Sequence, residues 1–240
     1  MTARSPEQAR KRYYLVTRDM SPVSGGLSFV NREAALVNGR LAGTHEHREP
    51  GHPHPVFVGI PRLREKPQVV IGGSGPTALD YYDLFKPIFI STRAKELLEG
   101  IDPGGFEFAE CETVDRRGSR VKSYWWMDVI RWVETFDEER SSFEWYRDSY
   151  PMAPDAQTNP SMSALYDIHM PGGFPDEYHA FWFAHYRIKF VFDEVLVDAW
   201  REARLTGAHF TPLQPPTEAE FKDHVRFVNY PYWTEKARQS

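Results

Sequence analysis

Two stretches of the chain share one plan: FISTRAKELLEGIDPGGFEF (89–108) and VFDEVLVDAWREARLTGAHF (191–210) have equal length and align without a gap. Each opens on an apolar strand and meets a side chain suited to cap a helix, Ser91 in one and Asp193 in the other. Each then runs as a helix and relaxes at a glycine, Gly105 or Gly207, before returning as a strand through Phe108 or Phe210. A chain built around two such units must form helices and sheets together. The units are either a duplication or a common solution to the same connection; one pair does not make a repeat protein.

The segments around them read as short strands. YYLVT (13–17), PVFVGI, QVVIGG, PIFIS, GFEFAEC and AHFTPL are rich in β-branched and aromatic residues and bounded by Pro, Gly or charge. YWWMDVIRWVETF (124–136) predicts one long or two short strands, and ALYDIHM and HAFWFAHYRIKFVF continue the same chemistry. Residues 137–163 predict a hairpin followed by a loop. Helical expectations are few: a weak REAALVNG segment, a turn in TALDYYDLF, and TRAKELLEG ended by Gly100. DEVLVDAWREARLTG follows, with a stripe of Val195, Leu196, Ala199, Trp200 and Ala203. A terminal TEAEFKDHVRFV carries a capping box at Thr217 and Glu220. The expected class is α+β, mostly antiparallel sheets with a few short helices. The chain divides into a β-rich region (1–79), a core (80–215) and a C-terminal helix and tail (216–240), as one compact domain or two closely packed lobes.

Composition narrows the partners. The 240 residues include 41% hydrophobic side chains, enough for a substantial core, and the 15% aromatic fraction is expected mainly inside it. A formal charge of −5 argues against a broad nucleic-acid surface. The N-terminal stretch does not read as a signal peptide and no apolar run reaches membrane-spanning length, so a cytoplasmic protein without a membrane partner is expected. Cys111 is the single cysteine; on a strand it is expected to be a buried, inert thiol.

Three patterns invite a chemical reading. GTHEHREPGHPHP gathers His45, His47, His52 and His54, four of nine histidines. His45 and His47 would share a strand face, a legitimate metal-ligand spacing, but the prolines turn His52 and His54 apart, and further ligands are not nominated. VIGGSGPT (70–77) lacks the Walker lysine and the nucleophile-elbow spacing around Ser74, which leaves a turn. ETFDEERSSFEWYRD (134–148) sets six acids against Arg140 and Arg147, a solvated acidic face or a contact face for a basic partner. In DEYHAFWFAHY, Asp176, Glu177, His179 and His185 would suit a proton relay or the polar edge of a strand. None of these is a catalytic constellation with coherent spacing.

The region from LDYYDLF to WVETFD resembles the eleventh family of bacterial polymorphic-toxin immunity proteins. The likeness rests on Asp80-Tyr81, the Pro87–Ser91 strand, the Leu-Leu helix, Gly105 to Phe108, and the aromatic run from Tyr124 to Asp137. Leu205, Thr206, Gly207 and Phe210 match the family's last helix and strand, with Asp193 where serine is usual. The likeness covers roughly 80–212, and 13–79 more loosely. It implies an α+β protein that binds and neutralises a cognate toxin or effector, with no family-wide catalytic set to transfer. On that reading the chain needs no cofactor or metal, and a homo-oligomer is left open. The expected toxin contacts are Asp137, Glu138, Glu139, Glu144, Trp145, Tyr146 and Asp148. The alternatives are a metal-dependent hydrolase using the His45–His54 cluster and a carbohydrate-binding module with aromatics exposed in a row.

Overall fold

Short strands dominate, as the β-branched and aromatic runs require. The computed structural model describes residues 11–19, 26–37, 43–47, 56–72, 78–84, 87–121, 123–145, 162–184 and 190–215. In chain order the elements are β1 (Tyr13–Arg18), β2 (Gly26–Phe29), α1 (Arg32–Ala35), β3 (His45–His47), β4 (Val56–Val58), β5 (Gln68–Gly72), β6 (Tyr81–Asp83), β7 (Ile88–Ser91), α2 (Thr92–Ile101), β8 (Phe106–Glu110), β9 (Glu112–Asp115), β10 (Tyr124–Val129), β11 (Trp132–Val133), β12 (Ser142–Trp145), β13 (Met162–Asp167), β14 (Ala180–Phe183), β15 (Phe190–Asp193), α3 (Glu194–Glu202) and β16 (Ala208–Pro212). The class is α+β, with antiparallel and mixed sheets and three short helices among the described residues. One sheet runs β11-β14-β15-β1-β16 and another β6-β7-β10-β8; β2-β5-β9, β3-β4 and β12-β13 are smaller.

The two matched stretches prove to be parts of a larger match. β7 and β8 both pair antiparallel with β10, which lies between them. β15 and β16 flank β1 in the same way. β6 joins β7 antiparallel as β14 joins β15. The registers coincide: Trp126 faces Phe89 and Ala109, and Leu15 faces Val191 and Thr211. Tyr82 faces Phe89 as Phe181 faces Val191. Backbone bonds beyond the strands repeat too: Ser91 donates to the Asp80 carbonyl and Asp193 to that of His179, while Cys111 donates to Tyr124 and Leu213 to Tyr13. A shared solution to one connection would fix only strand, helix and strand. The four-stranded arrangement β6-β7-β10-β8 thus recurs as β14-β15-β1-β16, and β11, parallel to β14, has no counterpart. The order along the chain differs, because β10 follows β8 in sequence whereas β1, its counterpart, precedes β15 and β16.

Alternation along these strands builds three cores. Ile88, Ile90, Met127 and Val129 point inward with Tyr14, Val16, Ala180, Trp182, Phe190 and Phe192, where Leu98 of α2 and Leu196 and Trp200 of α3 join them. The helices pack on each other inside this shared core. The opposite faces carry separate lids. Tyr82, Phe89, Tyr124 and Trp126 lie under the β2-β5-β9 layer, against Leu27, Leu36, Ile60 and Val69. Tyr13, Leu15, Phe181, Phe183 and Val191 meet Val133, Phe136 and Ile168, with Phe143 and Leu165 of β12 and β13 packed on top. Each such aromatic contributes about 2–3 kcal/mol by leaving water.

Both expected caps form: the side chains of Ser91 and Asp193 accept from the backbone N–H of Ala94 and Leu196 at 3.2 Å. Four local expectations are corrected. TALDYYDLF makes no helical turn, since Tyr81–Asp83 pairs with β7 and buries two tyrosines on opposite faces. Gly100 does not end its helix, which runs to Ile101 with Asp102 as its C-cap. In α3 the buried residues are Leu196, Val197 and Trp200, and Val195 is exposed. The hairpin and loop expected within 137–163 differ from the observed pairing: β12 pairs antiparallel with β13 at Met162–Asp167, which includes the start of ALYDIHM, with register shifts at two places. The C-terminal TEAEFKDHVRFV segment lies outside the described residues.

Candidate partner-binding surface

The acidic segment leaves β11 through Phe136, whose buried ring contacts Phe143 at 5.1 Å and Phe183 at 5.3 Å. That anchor sets the next residues on the surface. Asp137 donates its N–H to the His169 carbonyl at 2.8 Å and its own carbonyl accepts from Ser141 at 3.0 Å. Its carboxylate accepts from the Arg140 backbone at 3.2 Å and lies 3.9 Å from the Arg140 guanidinium. Asp137 is therefore engaged in shaping the turn. Glu138 and Glu139 stand exposed at its tip. On β12, Phe143 turns to the lid core and Glu144 to solvent, where it accepts from the Tyr166 hydroxyl at 2.9 Å. Of Trp145 only the backbone is described; Tyr146 and Asp148 lie outside the described residues. The acidic half of the expected face is thus brought together on one turn and hairpin.

His45 and His47 do share a strand side, and both are taken by protein groups. His45 Nε2 lies 2.6 Å from Glu107, whose other oxygen accepts from the Ile60 N–H at 2.7 Å. His47 Nε2 is 3.2 Å from the Ile130 carbonyl and its ring stacks on Trp132. Gly59, at φ +86°, lets the chain pass, because a Cβ there would press on His45 and Glu107. His52, His54, Ser74 and His185 lie outside the described residues. Among the described residues no three of His, Cys, Asp and Glu gather as metal ligands.

Sequence reasoning missed Asp102 and the long-range partners of Asp80 and Asp193. Asp80 accepts from the Ser91 hydroxyl at 2.7 Å, and from the Thr206 N–H and hydroxyl at 2.9 and 3.1 Å. Asp102 binds Arg131 and accepts from the N–H groups of His179 and Ala180 at 3.2 Å; Tyr178 covers the guanidinium at 4.5 Å. Asp193 is fully buried and meets His179 Nδ1 at 2.7 Å and Lys11 at 2.8 Å. The pre-strand residues Asp80 and His179 therefore both bind the cap of the helix that follows. Asp80-Tyr81 and Thr206-Gly207, two separate family motifs, meet here, and Gly207 at φ +94° lies against the Tyr81 carbonyl. Asp80 and Asp102 clamp the halves together. The sequence signalled Asp80 and Thr206 through the motifs of the resemblance and Asp193 as a helix cap, with no signal for Asp102.

Cys111 is buried, and burial pushes its thiol up to about 12, so the nucleophilic thiolate is absent near neutrality. No tryptophan is among the exposed large apolar side chains of the described residues, so no aromatic row of the kind that binds glycans is seen there. No described helix is long and apolar enough to cross a membrane. The model of the immunity protein family (Imm11) matches residues 8–214, a span that includes the region before residue 80. No curated protein matches the chain.

Proposed function

Because the chain belongs to the Imm11 immunity protein family, we propose that it binds a cognate toxin in the cytoplasm and neutralises it by covering it, without chemistry of its own. The observation that carries this reading is the length of the family match, which takes in both halves and both lids. Occlusion asks for an interface on the order of 1,600 Å² with aromatic anchors inside a polar rim. The segment Asp137, Glu138, Glu139, Glu144, Trp145, Tyr146 and Asp148 has that composition. Two supports for placing the contact there are its exposed carboxylates and its position on a lid that the other half does not copy.

Such a face steers a basic toxin toward its site, a rate effect that salt weakens. Combined Glu138→Lys, Glu139→Lys and Glu144→Lys should slow association with the toxic domain of a cognate effector, sought among the neighbouring genes, by about tenfold at low salt. The gap should narrow at high salt. An unchanged association rate at both salts removes this face from the account. Failure of the wild-type chain to protect cells expressing that domain removes the immunity role itself.

A further inference from the structure

β8 is the edge of the four-stranded sheet. Its ladder to β10 is anchored by Cys111 donating to Tyr124 and Ile130 donating to Gly105, with Ala109 opposite Trp126 and Glu107 opposite Asp128 between them. In an antiparallel ladder the intervening residues turn their N–H and C=O groups the other way. Phe106, Phe108 and Glu110 therefore present theirs to the open edge, and no backbone group among the described residues meets them. Just beyond, the same edge is closed: Gln68 pairs with Glu112, whose N–H donates to the Pro67 carbonyl at 2.8 Å. Between residues 63–67 and Ala109–Glu110 lies a shallow open cleft of about 420 Å³.

The recurring arrangement supplies an internal comparison. β16 is the equivalent edge, and by the same alternation its outward residues are Ala208, Phe210 and Pro212. Pro212 stands where β8 has Glu110: Trp125 faces Glu110 as Tyr14 faces Pro212. Proline has no N–H to offer, and it is a common means of blunting a free edge. One copy of the edge is thus closed at this position and the other keeps its donor beside a cleft. Charge in the cleft is mostly committed. Lys66 pairs with Glu110 at 2.7 Å and Glu65 accepts from Asn31 at 2.8 Å. Arg64 is exposed on the cleft wall and has no carboxylate partner among the described residues.

We propose that an extended segment of the toxin, bearing a carboxylate side chain, adds as a strand along Phe106–Glu110 and places that carboxylate on Arg64. This rests on the immunity reading and names a second contact for it. Main-chain bonds along the edge would give affinity whatever the segment's sequence, and the Arg64 ion pair would select for acid at one position.

Glu110→Pro tests the edge, because the fold already carries proline at the equivalent position. Glu110→Ala controls for loss of the Lys66 ion pair, and Arg64→Glu, on an exposed side chain, tests the charge. The full chain and each variant are titrated with an inactivated toxic domain of a cognate effector, sought among the neighbouring genes. Glu110→Ala should bind within about threefold of wild type, while Glu110→Pro and Arg64→Glu should each bind about tenfold more weakly. If Glu110→Pro binds as Glu110→Ala does, strand addition at β8 is wrong while the immunity role stands. If the wild-type chain does not bind the domain at all, both fall together.

Discussion

Asp102 sits almost wholly buried between the halves, and its carboxylate serves one guanidinium and two backbone donors. Removing such a group leaves its partners desolvated and unpaired, which costs far more than the pair itself contributes. Asp102→Ala should destabilise the protein by about 3–5 kcal/mol in urea unfolding, and Asp102→Asn by less, since an acceptor oxygen remains. A loss within about 1 kcal/mol would show that Arg131 is not held by this contact. Titration acts through other residues. Burial lowers the pKa of His209, with Arg201 adding to the effect and Asp19 opposing it. A depressed folded-state value means that the contribution of His209 to stability is complete above the ordinary histidine range and is lost as pH falls through the lowered value. A His209→Gln variant should therefore lose less stability than wild type between pH 7 and about 5. For Cys111 the raised value means the opposite: its contribution is complete below the ordinary thiol range and fades as pH rises toward 12.

Elements were legible where the local pattern and the tertiary environment agree. Both caps and the strands of each matched unit follow from residue type and alternation, whereas 124–136 is compatible with one long or two short strands and the structure decides for two. β6 was not legible, because a three-residue strand leaves no room for alternation to show, and its pairing with β7 decides it. The Asp80–Thr206 contact spans 126 positions, so no local spacing announces it. Glycines separate the two kinds of information. Gly100 lies inside α2 with open space where a Cβ would go, so Gly100→Ala should raise stability by about 0.5–1 kcal/mol. Gly207 has positive φ and lies against the Tyr81 carbonyl, so Gly207→Ala should cost at least about 2 kcal/mol. Thermal or urea unfolding of the pair checks both signs. Equal effects would mean that the close approach of α3's exit to β6 is not needed.

At the scale of the molecule, the candidate face was legible as composition and only half of it as geometry. Glu138, Glu139 and Glu144 reach the surface because Phe136 and Phe143 bury themselves beside them. The sequence showed two matched strand-helix-strand units but not that β10 completes the first and β1 the second. The pairing of the first strand with two late ones makes β1 part of the second half's interior. Amide exchange should find β1 as protected as β15 and β16, rather than fraying as chain ends commonly do. On the proposed reading, the shared plan of the halves is scaffold, and the unlike lids and the β8 edge are where the toxin is met. Covering a toxin consumes one chain for each toxin molecule, whereas an enzyme that repaired or modified it would turn over. The deciding measurement is therefore a titration of the active toxic domain of a cognate effector, sought among the neighbouring genes, with the purified full chain, followed by the toxin's own activity. The account predicts a linear loss of activity that ends at one chain per toxin. Complete neutralisation far below that ratio, or none above it, would contradict it.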